Sequence, residues 1–202
     1  MAGRDMGAHQ KKLATGAAVC FIDESGFTLT PHVQRSWALR GTVPVVRHAM
    51  GHWQKLSVVS AVVVTRRGTK VSTQIFFRTF PGASVRNRDA ADFVRQIGRA
   101  IDGRLVVVWD NAGQHRGPAL RRLLRKHKRF ELVNLPPYCP ELNPDEGVWN
   151  WLKTKFLAGV AAKDSIELLA LVRGGLRRMQ RQPRLHRWCI RSSELPFGRL
   201  LD

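Results

Sequence analysis

A chain of 202 residues with 34 lysines and arginines against 15 acids, net charge +19, is sized for one domain and charged for a polyanionic partner, nucleic acid above all. No apolar run approaches the roughly 18 residues of a membrane span, and residues 1–16 lack the apolar core of a signal peptide. Cys20, Cys139 and Cys189 offer neither zinc-finger spacing nor an even disulfide framework, so a cytoplasmic, nucleoid-associated protein with reduced thiols and no membrane contact is expected.

Residues 1–16 read as a basic flexible tail and 17–182 as the domain. Residues 17–22 are an apolar strand, Asp23-Glu24-Ser25-Gly26 a tight bend, and Phe27 begins a second strand. Residues 31–55 are irregular, punctuated by Gly41, Pro44 and Gly51, and Trp37 there is expected to be an exposed aromatic. Residues 56–65 and 71–77 are β-branched runs joined as a hairpin around 66–69. Phe93, Ile97 and Ile101 recur at helical spacing, which predicts a helix over 89–101 capped by Asn87 or Asp89.

Residues 105–109 are apolar throughout, the pattern of a central strand covered on both faces, and the run ends at Asp110. A basic helix follows over 118–128, then a short strand over 130–135. Pro136, Pro137, Pro140 and Pro144 then forbid helix and central strand. Val148, Trp149, Leu152 and Phe156 share one helical face, so a helix opens near Asp145 with Glu146 in its first turn. The last helix, 164–180, has the stripe Ile166, Leu169, Val172, Leu176 and Met179, weakened by Gly174 and Gly175, with Arg173, Arg177 and Arg181 along another face. Residues 183–202 read as a basic C-terminal tail. The sum is an α/β domain with a mixed sheet flanked by helices, early strands antiparallel and later ones parallel.

In a chain this poor in acids, their positions are informative. Asp23 ends a strand, Asp110 ends the central strand and Glu146 opens a helix, so the three can converge as a three-carboxylate site at one sheet edge. Bare carboxylates repel, and oxygen-only ligands suit Mg²⁺ or Mn²⁺, a pair of which serves phosphodiester chemistry. Singly, Asp23 or Asp110 is equally a turn cap and Glu146 equally a partner of a helix dipole. Asp23 and Glu24 alternate in extended chain, so only one can join the cluster. Asp145, after Pro144, reads as a helix cap beside Glu146. On a helical wheel Lys153 shares the face of Glu146, a candidate phosphate contact or a solvated lysine.

Phe21-Ile22-Asp23-Glu24-Ser25-Gly26-Phe27, then Val107-Val108-Trp109-Asp110-Asn111 with His115, then Pro137-Tyr138-Cys139-Pro140-Glu141-Leu142-Asn143-Pro144-Asp145-Glu146-Gly147-Val148-Trp149 resemble the catalytic domain of the IS630/Tc1-mariner transposases. Arg35, Trp37 and Gly41 resemble a further segment of that family. The resemblance covers about residues 17–180. It implies a ribonuclease H-like fold in which Asp23, Asp110 and Glu146 form the DDE triad and bind two Mg²⁺ or Mn²⁺. It also implies cleavage of transposon ends and attack of the 3′-hydroxyl on target DNA. Asn111, His115 and Asn143 belong to the matched motifs as positioning groups, with His115, Lys153, Arg173, Arg177 and Trp37 as candidate contacts to double-stranded DNA. The family acts as a homodimer on DNA and carries a helix-turn-helix region. Here only a tail precedes the first strand, so a missing N-terminal domain or a separate helix-turn-helix partner is expected. Competing expectations are a catalytically silent DNA-binding remnant and a nuclease of the same fold without strand transfer.

Overall fold

β-branched and aliphatic runs set the frame. The computed structural model describes residues 12–13, 15–32, 37, 39–42, 45, 55–110 and 117–195. Its sheet has five strands, β1 (Ala18–Phe27), β2 (Leu56–Arg67), β3 (Lys70–Pro81), β4 (Leu105–Trp109) and β5 (Phe130–Asn134), in the order β3-β2-β1-β4-β5. β2 runs antiparallel to both β1 and β3, whereas β4 is parallel to β1 and to β5. Arg67 pairs with Lys70 across a two-residue turn, and Gly68 supplies its φ of 61°.

The expected bend at 23–26 is absent. β1 continues unbroken to Phe27, because Asp23 through Phe27 pair residue by residue with Ser60 back to Leu56. The 12-residue β2 overrides the local turn signals of Asp-Glu-Ser-Gly.

Helices α1 (Asn87–Ala100) and α2 (Pro118–Lys126) cover one face; α3 (Asp145–Trp151), α4 (Ser165–Gln180) and α5 (Pro183–Ser192) cover the other. Strand alternation divides the core between them. Cys20, Ile22, Val59, Ala61 and Val63 meet Phe93, Val94, Ile97, Leu120 and Leu123 on the first face. Val19, Phe21, Val58 and Val62 meet Val148, Leu152, Val172, Leu176 and Ile190 on the second. β4 is buried at every position, as an apolar central strand must be. Among the described residues no helix is long and apolar enough to cross a membrane.

Three expectations are corrected. Residues 183–192 are helix, not tail: Pro183 opens α5, and His186, Cys189 and Ile190 are buried. Before β1, Leu13 is fully buried in the core, so the N-terminal tail packs at least there. In α4 the buried stripe is Leu168, Val172, Gly175, Leu176 and Met179, while Ile166, in the first turn, is 78% exposed. Gly175 is where α4 meets the chain after α3. A Cβ there would lie 2.4 Å from Leu152 Cδ1, so any larger residue forces that buried side chain to move.

The helix ends are tied to their neighbours. Asp89 Oδ2 accepts from Arg86 N at 3.0 Å and closes the start of α1. Asn87 instead reaches across, its Oδ1 accepting from Ala119 N at 2.8 Å in the first turn of α2. On the other face the C-terminal end of α4 and α5 wrap the β3 edge. Gln180 Nε2 donates to Ile75 O at 2.7 Å, and His186 Nδ1 lies 3.3 Å from Thr73 Oγ1, which keeps this part of the edge from pairing with another strand.

Candidate active site: a carboxylate cleft at the sheet edge

The parallel register of β1 and β4 pairs Phe21 with Val108, and two residues further along each chain come Asp23 and Asp110. Strand alternation turns Asp23 toward the face that carries α3. The proline-rich segment after β5 then brings the start of α3 to the same edge. The result is a cleft of about 460 Å³ lined by Asp23, Asp110 and Glu146 together with Leu135, Pro136, Pro137, Tyr138, Cys139 and Pro140. Asn143 completes the lining. Glu24, one residue along β1, is not among these lining groups.

Two buried side chains lock strand to helix. Asn143, 5% exposed, donates from Nδ2 to Ile22 O at 3.2 Å and accepts at Oδ1 from Asp145 N at 3.1 Å. One amide thus fixes both the backbone before Asp23 and the first turn that carries Glu146. Trp149 packs edge-on to Phe27 in the core, and its indole Nε1 donates to Asp23 Oδ2 at 3.0 Å.

Asp145 is not the cap its position suggests. The cap position is Pro144, and the Asp145 carboxyl is fully buried, with Oδ2 accepting from Ser60 Oγ at 2.6 Å. It lies inside the protein rather than in the cleft lining, so the adjacent pair Asp145–Glu146 divides into one buried and one exposed carboxyl.

Electrostatics follow from this crowding. Burial first, then Glu146 and to a smaller degree Asp110, push the Asp23 carboxyl up to about 7, against the opposing hydrogen bonds of the Glu24 backbone and the Trp149 indole. Burial, then the Asp23 charge, push Asp145 well above the carboxylate range, with the Ser60 hydroxyl opposing. Among the described residues no three acidic, histidine or cysteine side chains are gathered closely enough to hold a metal ion. The donor set nevertheless fits a hard divalent cation: the cleft's acids are oxygen donors only, and their mutual repulsion is what a cation relieves.

Of the other sequence candidates, Lys153, Arg173, Arg177 and Trp37 are not among the cleft's lining residues. Lys153 sits with its Nζ 5.6 Å from the centre of the Phe27 ring, on the turn of π-helix (Leu152–Phe156) that follows α3. Its charge, after burial, lowers the pKa of His32. Arg173 is exposed on α4, its Nε donating to Thr79 Oγ1 at 3.0 Å on the edge strand β3, and Arg177 is exposed one turn on. Trp37 is fully exposed. Asn111 and His115 fall outside the described residues. Helical spacing placed Trp149 on an apolar face three positions after Glu146, and gave no sign of its bond to Asp23. Ser60 carried no signal, and Tyr138 only that of its neighbouring prolines.

The sequence pattern of the DDE superfamily endonucleases matches residues 18–169. A protein of Sinorhizobium fredii described as uncharacterized (y4pE/y4sA) is 35% identical over 75 residues, which is 36% of this chain and 53% of that one. A pre-cleavage Mos1 transpososome superposes with a TM-score of 0.56 at 16% identity, over 93% of this chain and 59% of the Mos1 chain. The mariner Mos1 paired end complex with Mg gives a TM-score of 0.55 at 16% identity, over 94% and 59%. The chain therefore spans a little over half the length of these relatives. With its mixed sheet and helices on both faces in the ribonuclease H-like arrangement of Mos1 transposase, the chain belongs to the DDE superfamily endonucleases.

Proposed function

We propose that this chain is the catalytic domain of a transposase of the IS630/Tc1-mariner type, which cleaves phosphodiester bonds at transposon ends and transfers the 3′-hydroxyl to target DNA. The observation that carries the reading is the convergence of Asp23, Asp110 and Glu146, from three separate elements, on one cleft, with Asp23 pushed up to about 7 by burial and by the other two. In this reading those three carboxylates hold two Mg²⁺ or Mn²⁺, the metals named for Mos1 paired end complexes. When bound, such ions polarise the scissile phosphate and lower the pKa of a water or hydroxyl nucleophile. The chain's own residues supply the placement: Asn143 and Trp149 hold Asp23 and the start of α3 in register, and Asn111 would steady Asp110.

Double-stranded DNA is the partner, as transposon end and as target. The exposed basic residues of α1 and α2 (Arg88, Arg95, Arg99, Arg121, Arg122, Arg125) and of α4 (Arg173, Arg177) offer phosphate contacts on both faces of the sheet. Lys153, Trp37 and His115 are further contacts in this reading. A homodimer on DNA, end recognition by a helix-turn-helix region on a separate or missing segment, and a place in the nucleoid belong to the same proposal.

A catalytically silent DNA-binding protein is the second reading, favoured by basic faces that need no acids to bind. Incubation of plasmid DNA with the protein and Mg²⁺ or Mn²⁺ separates the two. Nicking that disappears with chelator and in Asp110→Asn supports the nuclease, and binding without metal-dependent nicking leaves the silent reading standing. Joining of a pre-cut 3′-hydroxyl end to plasmid distinguishes a transposase from a nuclease that only cuts.

A further inference from the structure

The helix α5 has two faces of opposite character. His186, Cys189 and Ile190 are buried against the core. Arg184, Arg187, Trp188 and Arg191 are exposed and fall at i, i+3, i+4 and i+7, one face of a helix. The charge around them has a single sign: between Glu167 and Glu194 the chain carries seven arginines and no acid. Helix stability does not ask for this pattern. Arg184 stands in the first turn, where the helix dipole disfavours a cation, and Arg187 and Arg191 are a like-charge pair one turn apart. Trp188, at 41% exposure, is a large apolar ring left among those charges.

The position of the helix gives that face its use. Near its start α5 meets the β3 edge, where His186 Nδ1 lies 3.2 Å from Thr73 O. Its other end reaches the elements that build the carboxylate cleft. A Cβ on Gly147, the residue after Glu146, would lie 3.0 Å from Cys189 Cα, so the α5 backbone touches the first turn of α3. Just past the helix, Glu194 N donates to Glu141 O at 2.9 Å in the proline-rich segment. From Arg184 to Arg191 the stripe covers about 10 Å of helix axis, the rise of about three phosphates along one strand of a duplex.

We propose that the exposed face of α5 is a nucleic-acid surface that continues from the carboxylate cleft. Arg184, Arg187 and Arg191 hold phosphates of the duplex beside the cleaved bond, and Trp188 lies against its sugars. This rests on the reading that duplex DNA is the partner, but the surface itself is read without cleavage. Charge selects the occupant: a polyanion relieves the repulsion among the arginines, whereas a second copy of the same face adds to it. Contacts to phosphate and sugar carry no base sequence, so the surface positions the duplex and leaves end recognition to another segment.

The test measures affinity for a short duplex by fluorescence anisotropy over a salt series, in chelator without divalent metal. Replacing Arg184, Arg187 and Arg191 by Gln should flatten the plot of log affinity against log salt by about 2–3. Replacing them by Lys should restore the slope, because it keeps the charge and loses the arginine fork. The Arg184→Gln, Arg187→Gln pair should flatten it by about 2 and keeps the test decisive if the triple variant fails to fold. Trp188→Ala should lower affinity by on the order of tenfold with the slope unchanged, since the ring adds apolar contact and no charge. With Mg²⁺, the Gln variants should raise the DNA concentration for half-maximal nicking more than they lower the maximal rate.

A wild-type slope in the Gln variants, or one that Lys fails to restore, overturns the inference. A half-maximal DNA concentration equal to that of wild type also overturns it, by placing the held duplex away from the cleft. Loss of polyglutamate binding in the Gln variants with duplex binding unchanged overturns it in favour of an acidic protein partner. No duplex binding by wild type removes the inference and the DNA reading together. Flattening of the slope in a protein that never nicks DNA leaves the surface standing and removes the nuclease reading instead.

Discussion

The indole of Trp149 donates to Asp23 Oδ2 at 3.0 Å while its ring lies edge-on to Phe27, with centroids 6.1 Å apart. One residue therefore serves both the core and the most crowded carboxylate of the cleft. Trp149→Phe keeps most of the apolar contact and removes the donor. Divalent-metal affinity, measured by Mn²⁺ titration, should fall by about tenfold or more, the usual effect of losing a hydrogen bond to a ligand. Affinity for DNA in chelator should stay constant. An unchanged Mn²⁺ isotherm would mean that the hydrogen bond does not orient Asp23.

The charge of Asp23 works against folding when no cation is present. Its carboxyl is held up to about 7 in the folded chain, chiefly by burial and by Glu146, while the unfolded chain titrates near the ordinary carboxylate value. Between those two values the unfolded state binds fewer protons than the folded one, so stability falls as pH rises and levels off above about pH 7. Asp23→Asn stays neutral in both states and escapes that loss. In chelator, urea unfolding should show the variant gaining on wild type from about pH 4 to pH 7, by on the order of 4 kcal/mol, with a plateau above. A gain independent of pH would show that the acids do not crowd one another.

Where the sequence was legible, the pattern had a single physical reading. Residues 105–109 have no polar face, so β4 had to be central, and Asp110 had to follow it at a sheet edge. Asp23 and Glu24 had to part by alternation. The failures share a different cause. Asp-Glu-Ser-Gly carries turn propensity, yet β2 supplies partners for all of 23–27, and pairing outweighs local preference. Asp145 beside Glu146 gives no sign of which carboxyl is buried, because that depends on Ser60, which lies 85 positions earlier in the chain. The α5 helix was legible in part: Pro183 opens it, and His186, Cys189 and Ile190 fall at helical spacing, but basic residues between them masked the stripe.

Gly174 and Gly175 are adjacent in α4 and should respond in opposite directions. A Cβ at Gly174 meets nothing within 4 Å, so Gly174→Ala should stabilise the protein by about 0.5–1 kcal/mol through helix propensity. At Gly175 the added carbon would meet Leu152 Cδ1 at 2.4 Å and Phe156 Cδ1 at 2.7 Å. Gly175→Ala must displace those packed side chains and should cost about 1–3 kcal/mol. Thermal melts of the two variants check this. Equal shifts would mean that α4 does not pack as closely on that segment as the structure has it.

The α2 helix carries Arg121, Arg122, Arg125 and Lys126 exposed, with no acid in its first turn. Arg121 and Arg125, and Arg122 and Lys126, are like-charge pairs at i,i+4, each a small cost to the helix in the absence of a partner. On α4, by contrast, Glu167 lies on the same helix as Arg173 and Arg177, and Arg173 is engaged with Thr79. If both faces meet DNA phosphates, the α2 face should carry the larger share. Replacing Arg121, Arg122 and Arg125 by Gln should flatten the plot of log affinity against log salt by about 2–3. The Arg173→Gln, Arg177→Gln pair should flatten it by about 1 or less. The triple variant should melt no lower than wild type, since it removes repulsion rather than contacts. Fluorescence anisotropy on one duplex over a salt series reads both slopes; a larger change in the α4 variant would move the main phosphate track to the opposite face of the sheet.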